Sequence, residues 1–232
     1  MSAKFKRRVS RVPIGLAAAL TLIAALVDVQ AQRPADTPDR WEPTIKEFEE
    51  ADRLNPPPQG GIVFVGSSGI VRWDLQEFFP ELGDRTINRG FGGSLLADAA
   101  RYADRIVTPY KPHTVVLYAG DNDIGRGGTA DQVFDRFVQF VNNVRAELPD
   151  VRIIVISIKP SLLRWEMIDN IRAANAKIKD YSVENGVIFV DIEPQSLGAD
   201  GKPRAELLVE DGLHMTPEGY RVWTAAVRPH LR

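Results

Sequence analysis

The stretch "GIVFVGSSGIVRW", Gly61 to Trp73, decides how the rest of the chain is read. Ile62 to Val65 has strand character, and the run stops at Gly66-Ser67-Ser68-Gly69. An apolar segment then resumes with no polar loop between. A strand that ends this abruptly is either a tight turn or the display of a reactive hydroxyl at the end of a sheet. The turn is a purely local explanation. A reactive hydroxyl needs partners, and those have to come from elsewhere in the sequence.

Downstream, the chain alternates. Short β-rich runs at Ile62–Val65, Arg85–Asn88, Thr114–Tyr118, Arg152–Ile158 and Val187–Asp191 are separated by segments of helical period. Thr129 with Gln132 forms a capping box ahead of an apolar stripe, Phe134, Phe137, Val138, Val141 and Val144. Ile168, Ile171, Ala174, Ile178 and Tyr181 repeat that spacing. Thr216-Pro217 opens a last helix with Tyr220, Trp223 and Val227 on its buried face. Near-continuous apolar strands belong to parallel sheets covered on both sides. The expected fold is therefore α/β, a three-layer α/β/α sandwich around a five-stranded parallel sheet, with sites outside the C-terminal strand ends.

Bulk composition narrows the chemistry. The 232 residues suit one α/β domain, and Lys plus Arg (29) nearly balances Asp plus Glu (31). Without a basic block beyond the first dozen residues, phosphate-driven nucleic-acid binding is not expected. The sequence has no Cys, which removes disulfides, thiolate metal sites and cysteine catalysis. Its three His, at 113, 214 and 230, make a His-based metal cluster improbable, and no metal or cofactor is expected.

The N-terminal segment reads as an export signal over residues 1–31. Lys4, Lys6, Arg7, Arg8 and Arg11 precede an apolar core from Ile14 to Val27, and Val29-Gln30-Ala31 supplies a small-x-small cleavage site. That core falls short of the ~20 residues needed to span a bilayer. Residues 32–40 then form a lead-in with Pro34 and Pro38, and the domain occupies 41–232, beginning with a helix over Glu42–Leu54 that Asn55-Pro56-Pro57-Pro58 stops. A periplasmic or secreted location follows, without stable membrane insertion after cleavage.

The strand ends carry the chemistry. After the first comes Gly66-Ser67-Ser68, after the second "NRGFGGS" (Asn88–Ser94), after the third "YAGDND" (Tyr118–Asp123), and after the fifth "EDGLHMTPEGY" (Glu210–Tyr220). Asp211 and His214 lie three apart, so one turn can bring a carboxylate against an imidazole. The plain alternative is a turn acid and a surface histidine. A serine hydroxyl needs such a base to become nucleophilic, and it needs donors aimed at the developing oxyanion. Gly92 and Gly93 can bring backbone N–H groups close to a substrate, and Asn122 can offer an amide. A glycine turn and a self-bonded asparagine are the bland readings of those loops. Asp123 is read as a turn acid, and His113 as a surface residue at the opposite end of the sheet. Trp73, Phe78, Phe79 and Trp165 are read as packing more than as an acyl pocket. The loop carrying Arg164 and Trp165 follows the fourth strand and can reach a substrate.

Taken together, Gly-x-Ser, then Gly, then Gly-x-Asn-Asp, then Asp-x-x-His resembles the SGNH hydrolase superfamily, the GDSL-type esterases and lipases. The resemblance runs from about Gly61 to the C-terminus. It implies a flavodoxin-like sandwich and ester hydrolysis through Ser68 as nucleophile, His214 as base and Asp211 as its orienting acid. Ser68 N–H, Gly93 N–H and the Asn122 amide would form the oxyanion hole. Ser67 stands where the family commonly has Asp, which sets two hydroxyls side by side. Motif alignment and the following glycine select Ser68. The implied substrate is a small-molecule or carbohydrate ester with short or exposed acyl groups. Transfer of the acyl group to a sugar, or a non-catalytic anion-binding turn, are the competing functions. The sequence is silent on oligomeric state.

Overall fold

The computed structural model describes residues 39–231, so the expected export signal and most of the expected 32–40 lead-in lie outside the described residues. Ten α-helices and five strands follow one another along the described chain. Helix α1 (Glu42–Leu54) precedes β1 (Ile62–Gly66), and two short helices, α2 (Ser68–Val71) and α3 (Leu75–Phe78), lead to β2 (Thr86–Gly90). Helices α4 (Leu96–Arg101) and α5 (Ala103–Ile106) precede β3 (Thr114–Tyr118), and α6 (Asp121–Gly125) and α7 (Ala130–Glu147) precede β4 (Arg152–Ile156). The chain closes with α8 (Ile168–Glu184), β5 (Ile188–Val190), α9 (Glu193–Ser196) and α10 (Pro217–Val227).

All five strands are parallel, in the order β2-β1-β3-β4-β5. This is the doubly wound, flavodoxin-like arrangement expected from the sequence. Strand order reverses between β1 and β3, and the crevice beyond their C-terminal ends is where such sheets place ligands. Register sharpens the point: Gly66 of β1 lies level with Gly90 of β2 and with Tyr118 of β3, so three loops leave the sheet at one height.

Side-chain alternation explains the layers. Val63 and Val65 of β1 join Val115, Leu117, Ile153 and Val155 in a core covered by α1, α4, α5, α7 and α8. Ile62 and Phe64 point the other way and join Val116, Ile154 and Ile156 beneath α2, α3 and α10. Trp73 and Phe79 are buried there at 1% and 0% exposure and pack with Phe64, Tyr220 and Trp223, so they are core residues. Phe78 is partly buried against the same cluster. No described helix is long and apolar enough to cross a membrane.

Several details differ from the sequence reading: β1 runs on to Gly66, and β5 is shorter than expected, Ile188–Val190. β4 ends at Ile156 although the apolar run continues to Ile158, because Asn175 of α8 takes over the backbone there. Its amide accepts from Ile158 N–H at 2.8 Å and donates to Ile158 C=O at 2.9 Å. β2 begins at Thr86 and runs on to Gly90, since Arg85 is held in a 3-10 turn. On α7 the most buried positions are Val133, Phe137, Phe140, Val141 and Val144, while Phe134 and Val138 sit at the margin.

Candidate active site

The serine turn is built by close packing on β3. Gly66 adopts φ +143, and a Cβ there would lie 1.9 Å from the Tyr118 carbonyl oxygen. Only glycine fits that position. Ser67 N–H donates to the same carbonyl at 3.1 Å, and this fixes the direction in which the chain leaves the strand. Two consecutive hydroxyls then diverge. Ser67 Oγ is fully buried without a hydrogen-bond partner, whereas Ser68 is half-buried at the start of α2.

Ser68 Oγ lies 2.9 Å from His214 Nε2, across 146 positions of sequence. His214 Nδ1 lies 2.5 Å from Asp211 Oδ2. The other oxygen of Asp211 accepts from the N–H groups of Leu213 and His214 at 2.8 and 2.9 Å, so the turn itself aims the carboxylate. Desolvation opposes ionisation of Asp211, but the His214 ring and these two N–H groups outweigh it and hold the carboxyl well below its ordinary range. The loop is held in place by Val209 N–H to His214 C=O at 2.9 Å and by Leu163 N–H to Gly212 C=O at 3.0 Å.

The remaining expected donors converge on the same rim. Gly92 sits beside the serine, with a Cβ built on it falling 3.8 Å from Ser68 Cβ. Gly93 has φ +86, and its carbonyl accepts from Arg126 Nη2 at 3.1 Å. Asn122 Nδ2 donates to Ser94 C=O at 3.1 Å. Asn122 of α6 and Arg126, which follows the helix, therefore pin the glycine loop. Among the described residues the N–H groups of Ser68 and Gly93 donate to no protein acceptor, and one N–H of the Asn122 amide is unspent. Unspent donors beside a hydrogen-bonded serine–imidazole pair are what a negatively charged oxygen would require.

Asp123 proves to be a structural tie. Its carboxylate is buried, accepts from Leu96 N–H at 3.1 Å and pairs with Arg136 at 2.7 Å, which joins α6 to the start of α4 and to α7. Burial raises its pKa, against the pull of Arg136. His113 is exposed at the start of β3, remote from the rim, and bonds Thr114 Oγ1. Trp165 lies under Lys202, whose Nζ is 5.0 Å from the ring centroid.

Sequence reasoning missed a buried charge cluster behind the rim. Asp121, Lys159 and Arg164 are each nearly buried, with Arg164 Nη1 3.0 Å and Lys159 Nζ 4.0 Å from Asp121 Oδ2. The only linear signal is a lysine directly after an apolar strand run. Burial pushes the Lys159 ammonium down to about 8, against the attraction of Asp121. A base depressed when folded takes up more protons when unfolded, so its contribution to stability rises with pH, here between about 8 and 10.5. Lys159→Met, which leaves the Asp121–Arg164 pair intact, is expected to remove that rise. The effect is at most about 3–4 kcal/mol, at roughly 1.4 kcal/mol per pKa unit. Urea denaturation of both proteins across that pH range checks it, and an unchanged slope in the variant would contradict it.

Comparisons with known proteins bear on family and fold. The sequence profile of the GDSL-like Lipase/Acylhydrolase family matches residues 68–222, from Ser68 past His214 and over more than half the chain. No curated protein sequence matches. Among solved structures, a GDSL-like lipase from Bacteroides thetaiotaomicron is 24% identical with a TM-score of 0.67, over 81% of this chain and 96% of that one. An acetyl-xylooligosaccharide esterase from Geobacillus Stearmophilus is 20% identical with a TM-score of 0.59, over 75% and 95%. A carbohydrate esterase family 3 protein from Talaromyces cellulolyticus is 22% identical with a TM-score of 0.61, over 75% and 96%. At these identities the structures speak to fold. Profile and sheet order agree, and the chain belongs to the GDSL-like Lipase/Acylhydrolase family of esterase-type hydrolases.

Proposed function

We propose that the protein is an exported serine esterase acting through Ser68, His214 and Asp211. The observation that carries this is the chain of contacts Ser68 Oγ–His214 Nε2 at 2.9 Å and His214 Nδ1–Asp211 Oδ2 at 2.5 Å. His214 takes the Ser68 proton as Oγ attacks the ester carbonyl, and the new C–O bond places negative charge on the former carbonyl oxygen. Ser68 N–H, Gly93 N–H and the Asn122 amide hold that oxyanion. Collapse breaks the bond to the alcohol, which leaves with the proton from His214. Water, deprotonated by His214, then releases the acid and restores Ser68. Asp211 remains ionised throughout and stabilises the imidazolium. The sequence as written needs no metal or cofactor.

Carboxylic esters with small or exposed acyl groups, on small molecules or carbohydrates, are the proposed substrates. Two of the similar folds, an acetyl-xylooligosaccharide esterase and a carbohydrate esterase family 3 protein, support that class. Export rests on the basic, apolar and small-x-small pattern of residues 4–31. N-terminal sequencing of the mature protein should begin near Gln32, and an intact Met1 would overturn it.

Asn122→Ala is expected to lower kcat on a short-chain ester by about 10²–10³-fold, the usual effect of losing one oxyanion donor. Steady-state kinetics across acyl chains of increasing length check both the donor and the acyl preference. A wild-type rate in the variant would remove Asn122 from the mechanism.

A further inference from the structure

We infer that Arg164 is a positioning residue that fixes the orientation of the Asn122 amide and so sets the strength of the oxyanion hole. The inference rests on the proposed role of Asn122 as an oxyanion donor. Asn122 has two neighbours of fixed polarity. Ser94 C=O can only accept, and it takes Nδ2 at 3.1 Å. The Arg164 guanidinium can only donate, and its Nη2 reaches Asn122 Oδ1 at 2.9 Å. An amide flipped by 180° would set oxygen against oxygen and nitrogen against nitrogen. One orientation survives, and it keeps an N–H of Nδ2 available.

The guanidinium is itself held. Its side chain is 12% exposed, and Nη1 pairs at 3.0 Å with Asp121, the residue preceding Asn122. Gly125, one turn further along α6, leaves it room to lie against the helix: a Cβ there would fall 2.6 Å from Arg164 Nε and 2.8 Å from Cζ. A cation bonded to the amide oxygen also draws electron density from the nitrogen, which strengthens the remaining N–H as a donor. Arg164 sits on the loop after β4, 42 positions from Asn122. The Asn122 donor therefore depends on two strand ends, those of β3 and β4, rather than on one.

Gly125→Ala tests this without removing a charge, because the added methyl meets the far end of a flexible side chain and alanine favours the helix. Arg164→Met removes the donor outright. On a short-chain ester, Arg164→Met is expected to lower kcat by about 10–100-fold with KM within about twofold, and Gly125→Ala by a smaller factor in the same sense. Each is also made in the Asn122→Ala background, where it should change kcat by less than about twofold, because the group being oriented is gone. Thermal melts confirm that the variants are folded. If Arg164→Met does not fold, Gly125→Ala and its double variant decide alone.

An equal loss in both backgrounds would show that Arg164 acts by another route and would overturn the inference, as would a rise in KM at constant kcat. A wild-type rate for Asn122→Ala alone would instead fail the underlying assignment of Asn122. The two failures are therefore distinct.

Discussion

Ser68→Ala is expected to lower kcat on a short-chain ester by about five to six orders of magnitude, while Ser67→Ala stays within about threefold of the parent rate. The contrast follows from where the chain sends each hydroxyl. Ser68 Oγ is 2.9 Å from the only imidazole at the rim, at the start of a helix whose first N–H is unspent. Ser67 Oγ is fully buried and makes no hydrogen bond, to His214 or to any other described residue. Removing an unsatisfied buried hydroxyl costs no hydrogen bond, so Ser67→Ala should also leave the melting temperature unchanged or raise it. Parallel steady-state assays and melts of the two variants check both halves. Loss of activity on changing Ser67, with Ser68→Ala active, would reassign the nucleophile.

His214→Ala is expected to cost about 10⁴–10⁶-fold in kcat, because the nucleophile, the base and the acid act as a unit and losing one forfeits most of what the set supplies. Nothing else can take its place. Among the described residues His113 lies at the other end of β3, and His230 follows α10 in the closing 3-10 turn. The pH dependence has a definite sign. An imidazolium cannot accept the serine proton, so kcat/KM should fall as the medium is acidified from about pH 8 to about pH 5. Asp211, held well below its ordinary range, stays ionised over that whole interval. Its contribution to folding is a depressed-carboxylate one, complete at neutral pH and lost only in strong acid. A single protonation event should therefore describe the acid limb. A flat profile, or measurable turnover in His214→Ala near the parent rate, would remove His214 from the role of base.

Most of this site is legible in the sequence because its parts are local. Asp211 and His214 are three apart and share one turn, so their pairing needs no knowledge of the fold. The Gly66-Ser67-Ser68-Gly69 turn follows a strand directly, and period-two alternation already separates the two hydroxyls. The parallel sheet follows from near-continuous apolar strands, and once it is assumed the four loops must meet at one edge. Less legible are features created by distant backbone. The end of β4 cannot be read from its apolar run, because Asn175 on the following helix ends it. The Asp121–Lys159–Arg164 cluster joins the ends of β3 and β4 and has no spacing rule in the chain. Arg164 was legible only as a loop residue within reach of the site. Its partner turns out to be Asn122, which it orients from behind. Asp123 looked like a turn acid, and its real contacts, Leu96 and Arg136, lie 27 and 13 positions away.

The most direct test of the central claim, that Ser68 is a nucleophile activated by His214, is labelling with an electrophilic alkyl phosphonate followed by mass spectrometry of the digested protein. The account expects one adduct per chain, located on Ser68, formed rapidly in the parent and Ser67→Ala proteins and absent from Ser68→Ala and His214→Ala. An unlabelled parent, or an adduct located on Ser67, would contradict it.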